Sequence, residues 1–340
     1  MRKLLLTTTA IAGAMVLSAA HADVSITGSY EFSYVSQSHS TDADTTGASN
    51  DRFKSDQNVG IEFSNKTDSG LTIGMKADIE SATDSATAAA GFDEAYLTIS
   101  GGFGKIELGN QDGAGDQLSL SGSDLIGLDA INDGSATYII PTGSTLKSMD
   151  ADLMLDINDL NSITYTLPKM GGLTLAASYA DAGEGASANG DINTYGAKYE
   201  FESGAVKGSI HYGAGMVGGA TAGAESTDSS SLGIKVSSGP ITAILAQGKG
   251  DYSSSITTEV TQYGVEYAVG NGLTLSAVGS EVTENTGGET IDVTEVAAKY
   301  NIASGLDAYL TYIDYDYAAG TSGLTADDGS ITALSLKATF

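Results

Sequence analysis

The sequence predicts an all-β fold, a closed antiparallel sheet of sixteen strands, on three observations. Side-chain polarity alternates with period two along most of the chain after Asp23. Short turns rich in Gly and Ser recur at nearly constant spacing. No stretch beyond Asp23 approaches the roughly 20 apolar residues that a membrane-spanning helix needs.

Composition narrows the class. The chain has 340 residues, 15 Lys plus Arg against 43 Asp plus Glu, and a net charge of −28. That balance excludes nucleic acid as a partner, because neutralising phosphate takes a basic surface. With no Cys there are no disulfides, thiolate nucleophiles or Cys-ligated zinc. A content of 41% apolar residues with 17 Tyr and 7 Phe is too much apolar surface for a disordered chain.

Residues 1–22 read as a cleaved signal peptide. Met1-Arg2-Lys3 supplies a positive start, Leu4 to Leu17 an uncharged apolar run, and Ala20-His21-Ala22 a cleavage site. Cleavage after Ala22 removes two basic residues and takes the net charge from −28 to −30. The expected domain is then 23–340, one barrel.

The strands follow in order at 24–36, 54–64, 71–80, 93–100, 105–110, 162–167, 173–180, 194–201, 205–214, 231–237, 241–249, 262–269, 273–283, 294–301, 306–315 and 330–340. Leu71, Ile73, Met75, Ala77 and Ile79 alternate with Thr72, Gly74, Lys76, Asp78 and Glu80, and the pattern returns at Tyr263-Val265-Tyr267-Val269 and Leu334-Leu336-Ala338-Phe340. Turns such as Asp68-Ser69-Gly70, Gly270-Asn271-Gly272 and Ala303-Ser304-Gly305 each lead at once into another alternating run. Run starts at Leu173, Ala205, Ile241, Leu273 and Leu306 lie 32, 36, 32 and 33 residues apart, the length of a two-strand hairpin with one tight turn and one longer loop. The longer loops, including Gln37–Asp51, Gly215–Ser230 and Asp316–Gly329, are polar.

An apolar face can point into a sandwich core or at lipid. Tyr and Phe near run ends, Lys and Glu in mid-strand on the polar face, an even strand count and a last strand closing on Phe340 favour lipid. The prediction is therefore a 16-stranded antiparallel transmembrane β-barrel whose first strand, Val24–Ser36, closes on its last, Ser330–Phe340. One segment, 111–161, breaks the rhythm. Folded inward, it would narrow an otherwise open channel. It carries Asp112, Asp116, Asp124, Asp129 and Asp133, with Leu118, Leu120 and Leu125 to pin it against the wall.

The segment Gly101-Gly102-Phe103-Gly104-Lys105-Ile106-Glu107-Leu108-Gly109 resembles the Gly-Phe-Gly-x-Leu-x-Leu-Gly sequence that precedes the constriction loop of Gram-negative bacterial general porins. Asn58-Val59-Gly60-Ile61-Glu62-Phe63 resembles their second strand and Ser162-Ile163-Thr164-Tyr165-Thr166 their strand after the loop, while Phe340 stands at their terminal aromatic. The likeness, to trimeric porins of the Rhodobacter and Roseobacter type, covers the mature chain. It implies a homotrimer in outer-membrane lipid and lipopolysaccharide, passing small hydrophilic solutes and inorganic ions passively through a water-filled pore, with no enzymatic role.

Such porins often carry arginines facing the loop. This chain has neutral or acidic residues at the matching positions, Asn58 and Asp93-Glu94, and Arg52 is its one Arg after the signal. The expected wall set is Arg52, Lys54, Glu62, Lys76, Asp78, Glu94, Lys105 and Glu107; Glu80 shares the same polar face, so acid outnumbers base and a mild cation preference is expected. No cofactor is expected. Asp112 and Asp116 offer oxygen ligands of the kind calcium takes, though no EF-hand pattern contains them. Competing readings are a substrate-selective outer-membrane channel and an exported acidic surface or adhesin protein. A serine hydrolase is disfavoured because only His39 and His211 follow the signal.

Overall fold

The computed structural model describes residues 23–39, 51–83, 91–126, 144, 161–181, 189–219, 227–251 and 256–340. The signal segment 1–22 lies outside them. The strands are Asp23–His39 (β1), Asp51–Lys66 (β2), Thr72–Thr83 (β3), Gly91–Gly101 (β4), Gly104–Asn110 (β5), Asn161–Thr166 (β6), Leu173–Ala180 (β7) and Asn189–Ser203 (β8). They continue as Val206–Gly219 (β9), Thr227–Ser238 (β10), Ile241–Asp251 (β11), Thr257–Gly270 (β12), Leu273–Glu284 (β13), Thr290–Ala303 (β14), Leu306–Ala318 (β15) and Asp327–Thr339 (β16). Two single-turn helices, Ala114–Gln117 (α1) and Ser123–Ile126 (α2), lie between β5 and β6.

Each strand pairs antiparallel with its sequence neighbours, and β1 pairs with β16, so the sheet is a closed barrel. The closing seam runs from Ser29 opposite Thr339 to His39 opposite Gly329. Phe340 extends it by one residue, its N–H donating to the Gly28 carbonyl at 2.8 Å. Closure leaves no strand edge bare, the condition for placing a sheet in hydrocarbon. The β12–β13 hairpin turns on Asn271 (φ 52°) and Gly272 (φ 83°), the Asn-Gly pair that a tight type I′ turn demands.

The alternation in sequence becomes two faces. Ile26, Phe32, Val59, Phe63, Met75, Leu97, Tyr195, Leu245, Val265, Leu310 and Leu334 stand exposed on the outward face. Serines, threonines and charged groups alternate with them inward; Ser33, Thr164, Thr194 and Thr311 are buried there.

Two features depart from the sequence reading. Most strands run further toward the long-loop end than expected: β8 begins at Asn189 rather than 194, β12 at Thr257 rather than 262, and β15 continues to Ala318. There the outward positions turn polar, so apolar alternation stops while hydrogen-bonded pairing continues. On β15, Leu310 and Tyr312 are followed on the same face by Asp314 and Asp316. The inward face also changes. Ile313, Tyr315 and Tyr317 are at most 2% exposed, and with Val260, Val282, Ile291 and Ile331 they join Leu120 and Leu125 of the inserted segment in one buried cluster. The inward strand face reads as polar in the sequence; on the β12–β16 side it contains a core. By strand parity Tyr96 and Tyr309 face inward, and Tyr315 and Tyr317 add to them.

Leu310, 54% exposed on the outward face between Ala298 and Leu334, tests the orientation. Leu310→Arg is expected to lower the free energy of folding into lipid vesicles by about 2–4 kcal/mol, the cost of a cation near the bilayer midplane. Asp314→Asn, two residues along the same face, should change it by less than about 0.5 kcal/mol. Denaturant titration of refolded protein measures both.

Candidate functional site

The site is built by the chain that leaves β5. Gly109 (φ 142°) turns it off the wall into the lumen, where Gln111, Gly113, Ala114 and Gly115 are buried. The α1 turn then lies against β6–β9 and α2 against β12 and β13, so the segment traverses more than a third of the inner circumference.

Its backbone is held by inward polar side chains. The Ala114 N–H donates to Ser178 Oγ at 2.8 Å on β7, and the Gly122 N–H donates to Gln262 Oε1 at 2.7 Å on β12. Both bonds are buried, where a donor left unmade would cost about 1–3 kcal/mol. The wall makes room with glycine. A Cβ on Gly196 of β8 would collide with the Ala114 carbonyl, and one on Gly233 of β10 would sit 2.8 Å from Leu120 Cβ. Leu120 and Leu125 are then 5% and 6% exposed, which is the pinning their sequence pattern suggested.

Of the five aspartates singled out on this segment, three are described. Asp112 is half-buried, and its carbonyl accepts from Gln117 Nε2 at 2.9 Å. Asp116 lies in the first turn of α1. Asp124 is exposed, with Lys235 Nζ 4.0 Å from its carboxylate and 3.4 Å from its carbonyl. Asp129 and Asp133 lie outside the described residues. Among the described residues, no group of three or more His, Cys, Asp or Glu side chains could hold a metal ion. Asp112 and Asp116, the calcium candidates, therefore belong to no such group.

The wall set falls on β2–β5 and shares the inward parity. Arg52 donates to Gln37 Oε1 at 2.9 Å, and Lys54 lies one inward position further along β2. Lys76 is clasped by Asp78 at 2.6 Å and Glu94 at 3.0 Å, with Glu62 opposite it in register and the Tyr96 ring 5.8 Å from its ammonium. One cation thus faces three carboxylates. Lys105 pairs with Glu107 at 2.8 Å, and Glu107 is 3% exposed.

Sequence reasoning missed two wall pairs. Lys337 of β16 lies 3.8 Å from the buried Glu31 of β1, and Asp56 of β2 stands opposite Glu31 on its other side. Lys235 of β10 meets Asp124 as described. Strand parity puts Glu31 and Lys337 on the polar face, but they become neighbours only when the ring closes. His211 is fully buried on β9, a strand against which α1 packs.

The comparisons agree with this geometry. A family model described as Gram-negative porin matches residues 7–339. Among solved structures, an engineered triple mutant of Rhodopseudomonas blastica porin aligns with a TM-score of 0.66 at 17% identity, covering 94% of this chain and 100% of that one. The anion-selective porin from Comamonas acidovorans aligns with a TM-score of 0.62 at 15% identity and the same coverage. At such identities the likeness shows the fold. No curated protein matches the sequence.

Gly196→Val should leave the barrel closed, since β8 keeps its pairing, but push α1 off the wall toward the pore. A lower single-channel conductance with unchanged heat-modifiable gel migration is the expected outcome. Wild-type conductance would show that α1 does not border the neck.

Proposed function

The chain belongs to the Gram-negative porin family, and from that premise we propose that it is a general diffusion channel with mild cation preference. As a family member it is an outer-membrane β-barrel channel and not an enzyme. The further reading is that its constriction is the segment beginning at Gln111, and that the pore runs between this segment and the wall of β16 and β1–β5.

The observation that carries the proposal is the seating of 111–126 inside a closed sixteen-strand ring, by buried hydrogen bonds and leucine contacts. A loop so held sets a size limit. It has no substrate to recognise: Tyr309, Tyr315 and Tyr317 share the inner face of β15 but are at most 6% exposed, so they offer no aromatic rail to a sugar. Arg clusters of the kind a phosphate pore uses are missing from the sequence, which has one Arg after the signal.

The sign of the selectivity follows from the wall. Arg52, Lys54, Lys76, Lys105 and Lys337 are interleaved with Glu31, Asp56, Glu62, Asp78, Glu94 and Glu107. The facing segment adds Asp112, Asp116 and Asp124 against Lys235. Carboxylates are in excess on both sides, and a narrow, acid-lined neck raises the local cation concentration. The proposal includes residues 1–22 as an export signal, assembly as a homotrimer, and lipopolysaccharide as the surrounding lipid.

Reversal potentials of single channels in a potassium chloride gradient should report cation preference; anion preference would refute the charge argument. Deleting part of 111–135 is expected to raise conductance and admit larger sugars in liposome swelling. Unchanged conductance would place the neck elsewhere.

A further inference from the structure

We propose that His211 makes the seat of α1 acid-sensitive: a proton taken up by this ring releases α1 from β9 toward the pore and narrows the channel. The inference rests on the reading of 111–126 as the constriction and gives that constriction a regulated position.

His211 is fully buried on the inner face of β9, between Lys198 of β8 and Gly233 of β10, its direct partners in register. Leu120 of the inserted segment packs at Gly233, and the Gly115 backbone of α1 lies beside the imidazole. Neither Nδ1 nor Nε2 makes a well-formed hydrogen bond. A neutral ring tolerates this position. A cationic one does not, because a buried charge without acceptors or water is costly, and this one would stand opposite a second cation.

The charged groups on the neighbouring elements do not offset that cost. On β8, the next inward residue toward the short turn is Glu200, which pairs with Lys169. On β10, Lys235 is one inward position from Gly233 and reaches Asp124. Lys207, on β9 itself, lies 3.6 Å from Glu202. The inserted segment contributes Asp112 and Asp116, yet the charge that acts on the ring is that of Lys198. The seat is also lightly held: the Ala114 N–H donates to Ser178, and the Gly115 N–H makes a long 3.5 Å bond to Thr194 Oγ1. The released state binds one more proton than the seated one, so seating is strongest above the ordinary imidazole value of about 6.5 and weakens as pH falls through it. At pH 4.5, two units lower, the drive toward release reaches about a hundredfold.

Liposome swelling in arabinose, a neutral sugar, reads the aperture apart from the charge of the wall. The wild-type rate should fall about threefold from pH 7.5 to pH 4.5, and the His211→Gln rate should stay within about 20%. Lys198→Gln should show a smaller fall, because the cation opposite the ring is gone. Unchanged heat-modifiable gel migration shows that both variants fold. A His211→Gln channel that slows as much as wild type would overturn the proposal, as would a wild-type rate that does not fall.

A second readout follows the seat itself. Thr194 is 1% exposed, close beneath Gly113 and Gly115, and the chain has no Cys. At pH 5, Thr194→Cys should react with a methanethiosulfonate reagent about tenfold faster when His211 is present than when it is combined with His211→Gln. Equal rates would overturn the proposal. This labelling does not depend on solute passage, so a channel that passed no arabinose would count against the diffusion reading while the labelling still decided the role of His211.

Discussion

The constraint on which everything else depends is that a backbone placed in hydrocarbon must satisfy every N–H and C=O within itself. A sheet can meet it only by closing, and this one closes through the β1–β16 seam, with Phe340 adding its own N–H to the Gly28 carbonyl. Closure then dictates the use of side chains. Alternate positions point at lipid or at the lumen, so one chain presents two solvents with two compositions, and a single-residue slip would exchange them.

The lumen is not uniform, and its asymmetry follows from the inserted segment. Where 111–126 lies on the wall, the wall has glycine at the closest approaches and buried hydroxyl and amide partners for the segment's backbone. Toward β12–β16, the leucines of the segment meet Val282, Ile291, Ile313 and Ile331 in a dry cluster. The opposite arc, β16 and β1–β5, keeps charged pairs instead. On the proposed reading, packing on one side and polarity on the other place the pore off-centre, between a charged wall and an anchored loop. Lys76, enclosed by Asp78, Glu94 and Glu62, shows why counting cations overstates a positive wall.

The outer surface follows the same logic at its rim. Apolar side chains stop at a common height, and beyond it the strands continue as polar ribbons. Strand ends are therefore poorly read from hydropathy, because the pattern marks the limit of the lipid and the hydrogen bonds do not end there. That is why β8, β12 and β15 run longer than their apolar runs.

All sixteen strands and their order were legible in the sequence, because period two is imposed locally, residue by residue, by the pleat and its two environments. So were the inward insertion between β5 and β6, its anchoring leucines and the excess of acid. Tertiary structure decided what depends on the ring: which strand Lys337 sees, that Glu31 lies between Lys337 and Asp56, and that Tyr315 and Tyr317 are core. Those contacts join residues up to about three hundred positions apart, and no local periodicity encodes a distance that exists only after closure.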